Sequence, residues 1–330
     1  MSKHADSFWY RKSLWRYLLL PIHWLLILLV KIRRVAYQRE WIKSYQSKTP
    51  IWVIGNISVG GTGKTPFLIW LVDYLKQKGL SVGVVTRGYG GSSENYPLLV
   101  ESSTSPDVCG DEPKLISARS QCPVVVDPIR SRAVSWIEKN LAVDVILSDD
   151  GLQHYAMNRQ LEFCLVDGYR MFGNELLMPL GPLREPVNRL NACDLVIQNS
   201  GEQQFDCYFT LHADALVNVQ NEDVIQLTSR ESWPFDEYDA VCGIGNPEKF
   251  RVTLSQFSQP DRLVTFSDHH AFKPEDLLPL DQKPLVMTEK DAIKCRAFAK
   301  NHWWYLRITP VINLELVSRI DQVIKDCFNR

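Results

Sequence analysis

Along most of the chain, apolar residues fall into short, nearly unbroken runs separated by polar, glycine-rich turns. Ile51-Trp52-Val53-Ile54 is one such run, and its lack of alternation reads as a strand covered on both faces. A glycine-rich stretch follows it. Then come Phe67, Leu68, Leu71, Val72 and Leu75, the spacing of one buried face of a helix. Gly79 is a stop signal for that helix, and Val82-Gly83-Val84-Val85-Thr86 reads as the next strand. Strand, helix and strand in this order make a βαβ unit, with parallel pairing and a right-handed crossover. Val124–Val126, Val143–Leu147, Phe163–Val166 and Leu195–Ile197 are further strand candidates of the same apolar kind.

The pattern changes between about residues 205 and 226. Tyr208, Thr210 and His212 alternate with Phe209 and Leu211, which predicts antiparallel strands. A second α/β pattern starts at Asp239-Ala240-Val241-Cys242 and continues through Gly243-Ile244-Gly245-Asn246-Pro247. It includes the strands Leu285–Thr288 and Trp303–Ile308. A chain of 330 residues is long for one core. The reading is therefore a first α/β domain over 49–204, an antiparallel linker over 205–226 and a second, smaller α/β lobe over 227–330. Neither an internal repeat nor a low-complexity stretch interrupts it.

Residues 1–48 stand apart from this pattern. Leu18–Val30 reads LLLPIHWLLILLV, with Arg16 before it and Lys31, Arg33 and Arg34 after it. A spanning helix needs about 20 apolar residues, and this run is shorter and holds Pro21 and His23. Trp9, Tyr10, Trp15, Tyr17 and Trp24 supply rings suited to the headgroup level of a bilayer. Ala36-Tyr37-Gln38 is a poor cleavage site for a secretory signal, and basic residues continue to Lys48. An interfacial anchor fits best, with a short span and a buried core helix as the alternatives.

Charge sharpens the contrast. The net charge is only -1, yet Met1–Lys48 holds 10 Lys or Arg against 2 Asp or Glu, leaving the remainder acidic. A basic, aromatic-rimmed apolar segment on an acidic body points to an anionic membrane surface. At 45% hydrophobic and 23% charged residues, the composition is that of a folded protein. The eight cysteines are scattered and form no C-x-x-C pair, which argues against a zinc site or a disulfide scaffold and for reduced thiols.

The glycine-rich stretch carries the chemistry. Gly55-Asn56-Ile57-Ser58-Val59-Gly60-Gly61-Thr62-Gly63-Lys64-Thr65 follows a strand and opens a helix, the setting of a Walker A loop. Backbone N–H groups from Ser58, Val59, Gly60, Gly61, Thr62 and Gly63 would cradle phosphate oxygens. Lys64 would reach the β- and γ-phosphates of ATP, and the Thr65 hydroxyl would bind Mg²⁺. The strict pattern has glycine where this chain has Ser58. Val143–Leu147 leads through Ser148 into Asp149-Asp150-Gly151, which puts carboxylates at the end of a strand, where open α/β sheets bind ligands. Asp149 suits the Walker B role of holding Mg²⁺, with Asp150 beside it. The predicted architecture is thus a P-loop NTPase-like parallel sheet with helices on both faces, extended by the second lobe.

Several further segments are too polar and glycine-rich for a core: Arg87-Gly88-Tyr89-Gly90-Gly91, Gly110-Asp111-Glu112-Pro113, Gly181-Pro182-Leu183-Arg184-Glu185-Pro186, Asp268-His269-His270 and Met287-Thr288-Glu289-Lys290-Asp291-Ala292. Taken in order with the Walker loop and Asp149-Asp150-Gly151-Leu152-Gln153-His154, this set resembles the tetraacyldisaccharide 4'-kinases of Gram-negative lipid A synthesis. The resemblance covers nearly the whole chain. It implies transfer of the ATP γ-phosphate to the 4'-hydroxyl of a tetraacylated glucosamine disaccharide 1-phosphate, at the cytoplasmic face of the inner membrane.

By that resemblance Asp111 is the base at the acceptor hydroxyl, paired with His269, or with its neighbour His270. Asp149 and Glu185 would hold or support Mg²⁺ beside Thr65. Arg87, Arg130 and Arg184 are candidates for phosphate contacts, since guanidinium forks match phosphate oxygens. Tyr89 and Glu112 would line the acceptor side. Without the resemblance, Asp111 and Glu112 read equally as the acidic first turn of a helix. The rival enzyme class is a membrane-positioned P-loop ATPase of the septum-positioning type, which usually carries a second lysine early in the loop, where this chain has Ser58. A nucleotide-regulated membrane scaffold would need neither base nor acceptor pocket. Nothing in the pattern implies a nucleic acid or a protein partner.

Overall fold

The computed structural model of the chain describes Trp9 and residues 19–328; Tyr10, Trp15, Arg16, Tyr17 and Leu18 of the predicted anchor lie outside the described residues. The first described helix, α1, runs Leu20–Gln38, with Pro21 in its first turn, where a missing N–H costs nothing. It continues past Lys31, Arg33 and Arg34. Only His23 and Ala36 are buried on it, whereas Ile22, Trp24, Leu25, Leu28, Leu29 and Ile32 are each more than half exposed. The core-helix alternative is thereby overturned, because the apolar side chains face outward. Among the described residues, no helix is long and apolar enough to cross a membrane.

The βαβ unit forms as the pattern predicts: β1 (Ile51–Gly55), α2 (Lys64–Gln77) and β2 (Val82–Thr86). There follow β3 (Leu98–Leu99), α3 (Pro106–Cys109), α4 (Asp111–Ser120), β4 (Val124–Val126), α5 (Arg130–Asn140), β5 (Val145–Asp149), β6 (Leu161–Asp167) and β7 (Leu195–Asn199). β5 starts two residues later than its apolar run suggests. Asp144 is drawn off to the edge, where its carboxylate accepts from the Ser81 N–H and hydroxyl, each at 2.8 Å. At its other end β5 runs on to Asp149, its last residue, buried in the sheet.

The second half comprises β8 (Tyr208–Asn218), β9 (Val224–Gln226), β10 (Asp239–Cys242), α6 (Pro247–Ser255), β11 (Arg262–Thr265), α7 (Pro274–Leu277), β12 (Leu285–Thr288), α8 (Glu289–Cys295), β13 (Trp303–Ile312) and α9 (Leu314–Phe328). All strands belong to one sheet in the order β11-β10-β12-β13-β8-β7-β6-β1-β5-β2-β4-β3, with β9 on β8. β8 joins the halves. Its first residues pair parallel with β7, and most of its length pairs antiparallel with β13.

Strand residues alternate between two cores in each half. Trp52, Ile54, Val84 and Leu147 pack against α2, α4 and α9, whereas Ile51, Val53, Val85 and Ile146 pack against α5. In the second half, Val241, Leu285 and Met287 face α8, and Ala240, Cys242 and Val286 face α6. Helices on both faces explain why the strand runs are apolar without alternation. α9 returns to the first half, burying Leu316, Ile320 and Ile324 beside Trp52 and Leu75, so the chain's end clamps its beginning.

Candidate active site

The loop from Asn56 to Gly63 leaves β1 at the middle of its half of the sheet, between β5 and β6. Gly63 precedes α2 at φ +85°, and a Cβ there would stand 2.5 Å from Asn199 Nδ2. Only glycine fits, because both the backbone conformation and the close approach exclude a side chain. Asn199 in turn donates to the Thr62 carbonyl at 3.2 Å, and Asn56 Nδ2 donates to the Ser58 carbonyl at 2.6 Å. The Gly181–Pro186 loop lies against this one: Val59 N–H donates to Pro182 O at 2.8 Å and Arg184 N–H to Ile57 O at 2.7 Å. Ser58 itself bridges to Leu183. The residue that departs from the strict Walker pattern thus sits where a second loop pairs with the first.

Lys64 Nζ lies 3.1 Å from Asn56 Oδ1 and 3.3 Å from Asp150 Oδ1. Asp150 also receives both its oxygens' bonds from Arg184 Nη1, at 3.0 and 2.8 Å. Burial works against its charge, but Lys64 and Arg184 prevail and hold the carboxyl at about 2. Asp149 has the opposite environment. Burial, helped by the charges of Glu112 and Asp150, pushes its carboxyl well above the usual carboxylate range. Arg130 is buried at the start of α5, and its Nη2 donates to the carbonyls of Asp149 and Asp150, each at 3.0 Å. Arg87 is exposed at the end of β2.

The second cluster joins the two halves of the molecule. Asp111 opens α4 behind Gly110, where φ is +98° and a Cβ would stand 2.7 Å from the Tyr89 carbonyl oxygen, so glycine is again required. Its Oδ2 meets His269 Nδ1 at 3.1 Å. The Tyr89 ring stands edge-on to that imidazole, 5.5 Å between centroids. His270 points elsewhere: its Nε2 bonds Asp276 at 2.9 Å, and its ring stacks on Phe266. The structure therefore separates two histidines that the sequence left as alternatives. His269 holds φ +59°, a strained setting for a non-glycine residue and one that clusters at functional sites. Burial would raise the Asp111 carboxyl, but the His269 bond and the cations of Lys294 and Lys290 outweigh it and bring it below the ordinary value. Glu112 lies 3.4 Å from Lys290 Nζ.

The fit of a divalent cation turns on Asp149. Its Oδ1 is buried with no hydrogen-bond partner, while Oδ2 accepts from Thr86 at 3.3 Å. An orphaned, desolvated carboxylate oxygen is what a cation beside a phosphate loop would satisfy. Glu185, expected to hold or support Mg²⁺ with Asp149, has a different setting. It is buried, accepts from Gln153 Nε2 at 2.9 Å and from the Tyr155 hydroxyl, and lies 3.8 Å from Arg189 Nε. Among the described residues, no group of three or more His, Cys, Asp or Glu could hold a metal.

The family model for LpxK, tetraacyldisaccharide-1-P 4'-kinase, matches residues 15–325. The chain belongs to this family. A tetraacyldisaccharide 4'-kinase of Aeromonas salmonicida is 45% identical over 320 residues, covering 96% of this chain and 95% of its own length. That of Psychromonas ingrahamii is 45% identical over 322 residues, covering 96% and 99%. Among solved structures, LpxK from Aquifex aeolicus, an "apo" form in complex with ATP, matches with a TM-score of 0.78 at 25% identity, over 96% of this chain and all of that one.

Within this 4'-kinase scaffold, sequence reasoning missed several residues that the geometry brings in. Asn56 holds Lys64. Gln153, Tyr155 and Arg189 enclose Glu185. Lys290 and Lys294 face the Asp111–His269 pair, with Lys290 Nζ 3.4 Å from His269 Nε2 and Lys294 Nζ 3.9 Å from Asp111 Oδ2. A helical i, i+4 spacing after the Thr288 cap was the available signal for the two lysines.

Proposed function

We propose that this chain transfers the γ-phosphate of ATP to the 4'-hydroxyl of tetraacyldisaccharide 1-phosphate in lipid A biosynthesis. The observation that carries the reading is the Asp111–His269 pair, a carboxylate held by an imidazole from the other half of the sheet. Phosphoryl transfer needs alignment, charge neutralisation and one group to take the acceptor's proton. Asp111 is that base, and His269 orients it. Lys64 neutralises charge on the transferring phosphoryl group from a position fixed by Asn56 and Asp150. The loop from Ser58 to Thr65 holds the phosphates of ATP. Mg²⁺, held by Asp149 and the Thr65 hydroxyl, would offset charge on the phosphate oxygens; Glu185 supports that side through Gln153. Arg87, Arg130 and Arg184 contact phosphate, while Tyr89 and Glu112 line the acceptor side.

The acceptor is a lipid, and the N-terminal segment is suited to reach it. Its charge is strongly basic, and α1 presents apolar side chains outward. We place the enzyme at the cytoplasmic face of the inner membrane, peripheral or monotopic through residues 1–48. A P-loop ATPase of the septum-positioning type has no use for a base shared with a histidine-bearing second lobe. Incubation with γ-labelled ATP and the tetraacyl disaccharide 1-phosphate separates the readings. Label in a bisphosphorylated lipid supports the kinase. Labelled inorganic phosphate with no labelled lipid refutes it.

A further inference from the structure

Lys290 and Lys294 are one helical turn apart on α8, so both ammonium groups leave the same face of that helix. That face looks at the Asp111–His269 pair. Lys294 is 7% exposed, 2.9 Å from Asp291 Oδ1, 3.9 Å from Asp111 Oδ2 and 5.1 Å over the Phe272 ring. Asp291 is fully buried and rigidly held, its other oxygen accepting from Gly243 N–H at 2.9 Å and the Thr288 hydroxyl at 2.6 Å. A buried lysine–aspartate pair adds little stability for its desolvation cost. Here the ammonium faces a second carboxylate as well, that of Asp111.

Lys290 meets the other end of the pair. Its Nζ lies 3.4 Å from His269 Nε2 and 3.4 Å from Glu112 Oε1. An ammonium has only hydrogens to give. The nitrogen it faces must therefore accept, and the ring hydrogen must sit on Nδ1, aimed at Asp111 Oδ2. Other charged or titratable groups around the pair are Asp268, 4.0 Å from His269 Nε2, Glu112 on α4 itself, and Cys109 with Lys114 behind Asp111.

We propose that Lys290 and Lys294 are positioning residues for phosphoryl transfer: Lys294 supplies charge that holds Asp111 as a carboxylate, and Lys290 donates to His269 Nε2, anchoring the far edge of the ring whose Nδ1–H aims Asp111. This rests on Asp111 being the base. The acceptor proton goes to Asp111, the acceptor oxygen bonds the γ-phosphorus as the bond to ADP breaks, and neither lysine exchanges a proton. The lowered proton affinity of Asp111 agrees with two nearby cations.

The test is the pH profile of kcat/KM for labelled phosphate transfer by the full chain in lipid–detergent micelles. Lys294→Met should move the acid limb up by about one pH unit, leave ATP affinity unchanged, and be rescued in part by Lys294→Arg. Lys290→Met should keep the ring hydrogen on Nδ1, where the Asp111 carboxylate requires it, move the ¹⁵N resonance of His269 Nε2, which loses its donor, and lower kcat. Thermal melts establish folding; should Lys294→Met not fold, the Nε2 resonance in Lys290→Met decides. An acid limb that stays put in folded Lys294→Met, or an unmoved Nε2 resonance in Lys290→Met, overturns the proposal. Asp111→Asn in the same assay separates the two levels: an inactive Asp111→Asn leaves the base reading standing when the lysine proposal fails, and an active one removes both.

Discussion

Lys64 is fixed by two acceptors, Asn56 and Asp150, and Asp150 is fixed in turn by Arg184. Lys64→Ala should bring transfer below about a tenth of wild type while the melting temperature stays within a few degrees, because the lost group acts on developing charge. Near-normal turnover would remove Lys64 from the chemistry. The same cluster has a pH signature. The Asp150 carboxyl sits at about 2, below its unfolded value, so its ion pairing stabilises the fold above about pH 4 and is lost as pH falls through about 2. Arg184→Gln should therefore cost on the order of 1 kcal/mol at pH 6, after allowing for partial exposure, and less at pH 3. Urea unfolding at the two pH values checks this, and a constant difference would exclude the ion pair as its source. At this scale the sequence was informative where spacing dictates geometry, as in Gly63-Lys64-Thr65. It was silent on which of His269 and His270 meets Asp111, because adjacent residues share every pattern and only the turn at φ +59° sends them to different partners. The setting of Glu185 was illegible for a related reason: its partners Gln153 and Tyr155 come from a distant loop, and no spacing reports that contact.

Strands covered on both faces were readable as elements because burial on two sides leaves a run of apolar residues. Their ends were less so: β5 is offset by the side chain of Asp144, a local competition that no periodicity reports. The α1 helix shows the reverse case. Its apolar run was obvious, but whether those side chains face a core or the outside depends on the rest of the molecule. Two contacts seat this segment near the site: Trp9 Nε1 donates to Pro179 O at 3.0 Å, and the Tyr37 ring lies 6.0 Å from that of Tyr155. Deleting residues 1–36 should shift the protein from the membrane pellet to the supernatant and reduce lipid phosphorylation more than ATP binding. Complete retention in the pellet would place the anchor elsewhere.

Over the whole molecule, one sheet runs through both halves and β8 is the seam, so the antiparallel segment read from alternation is structural continuity rather than a loose tether. Across the seam, Arg119 on α4 pairs with Glu289 on α8 at 2.5 Å, and burial raises the Glu289 carboxyl despite that partner. Arg119→Met would strand a buried carboxylate and should cost about 3 kcal/mol in unfolding free energy. A change near zero would show that the halves do not depend on this contact.

The central claim is that Asp111 and His269, brought from opposite sides of the seam, act as one catalytic unit. The direct measurement is a double-mutant cycle on kcat with Asp111→Ala, His269→Ala and the double variant, assayed by labelled phosphate transfer to the disaccharide lipid. Both single variants should be severely slowed with ATP affinity nearly unchanged, and the double variant should be little slower than Asp111→Ala alone. Log-rate losses that add, or normal turnover in Asp111→Ala, would contradict the account.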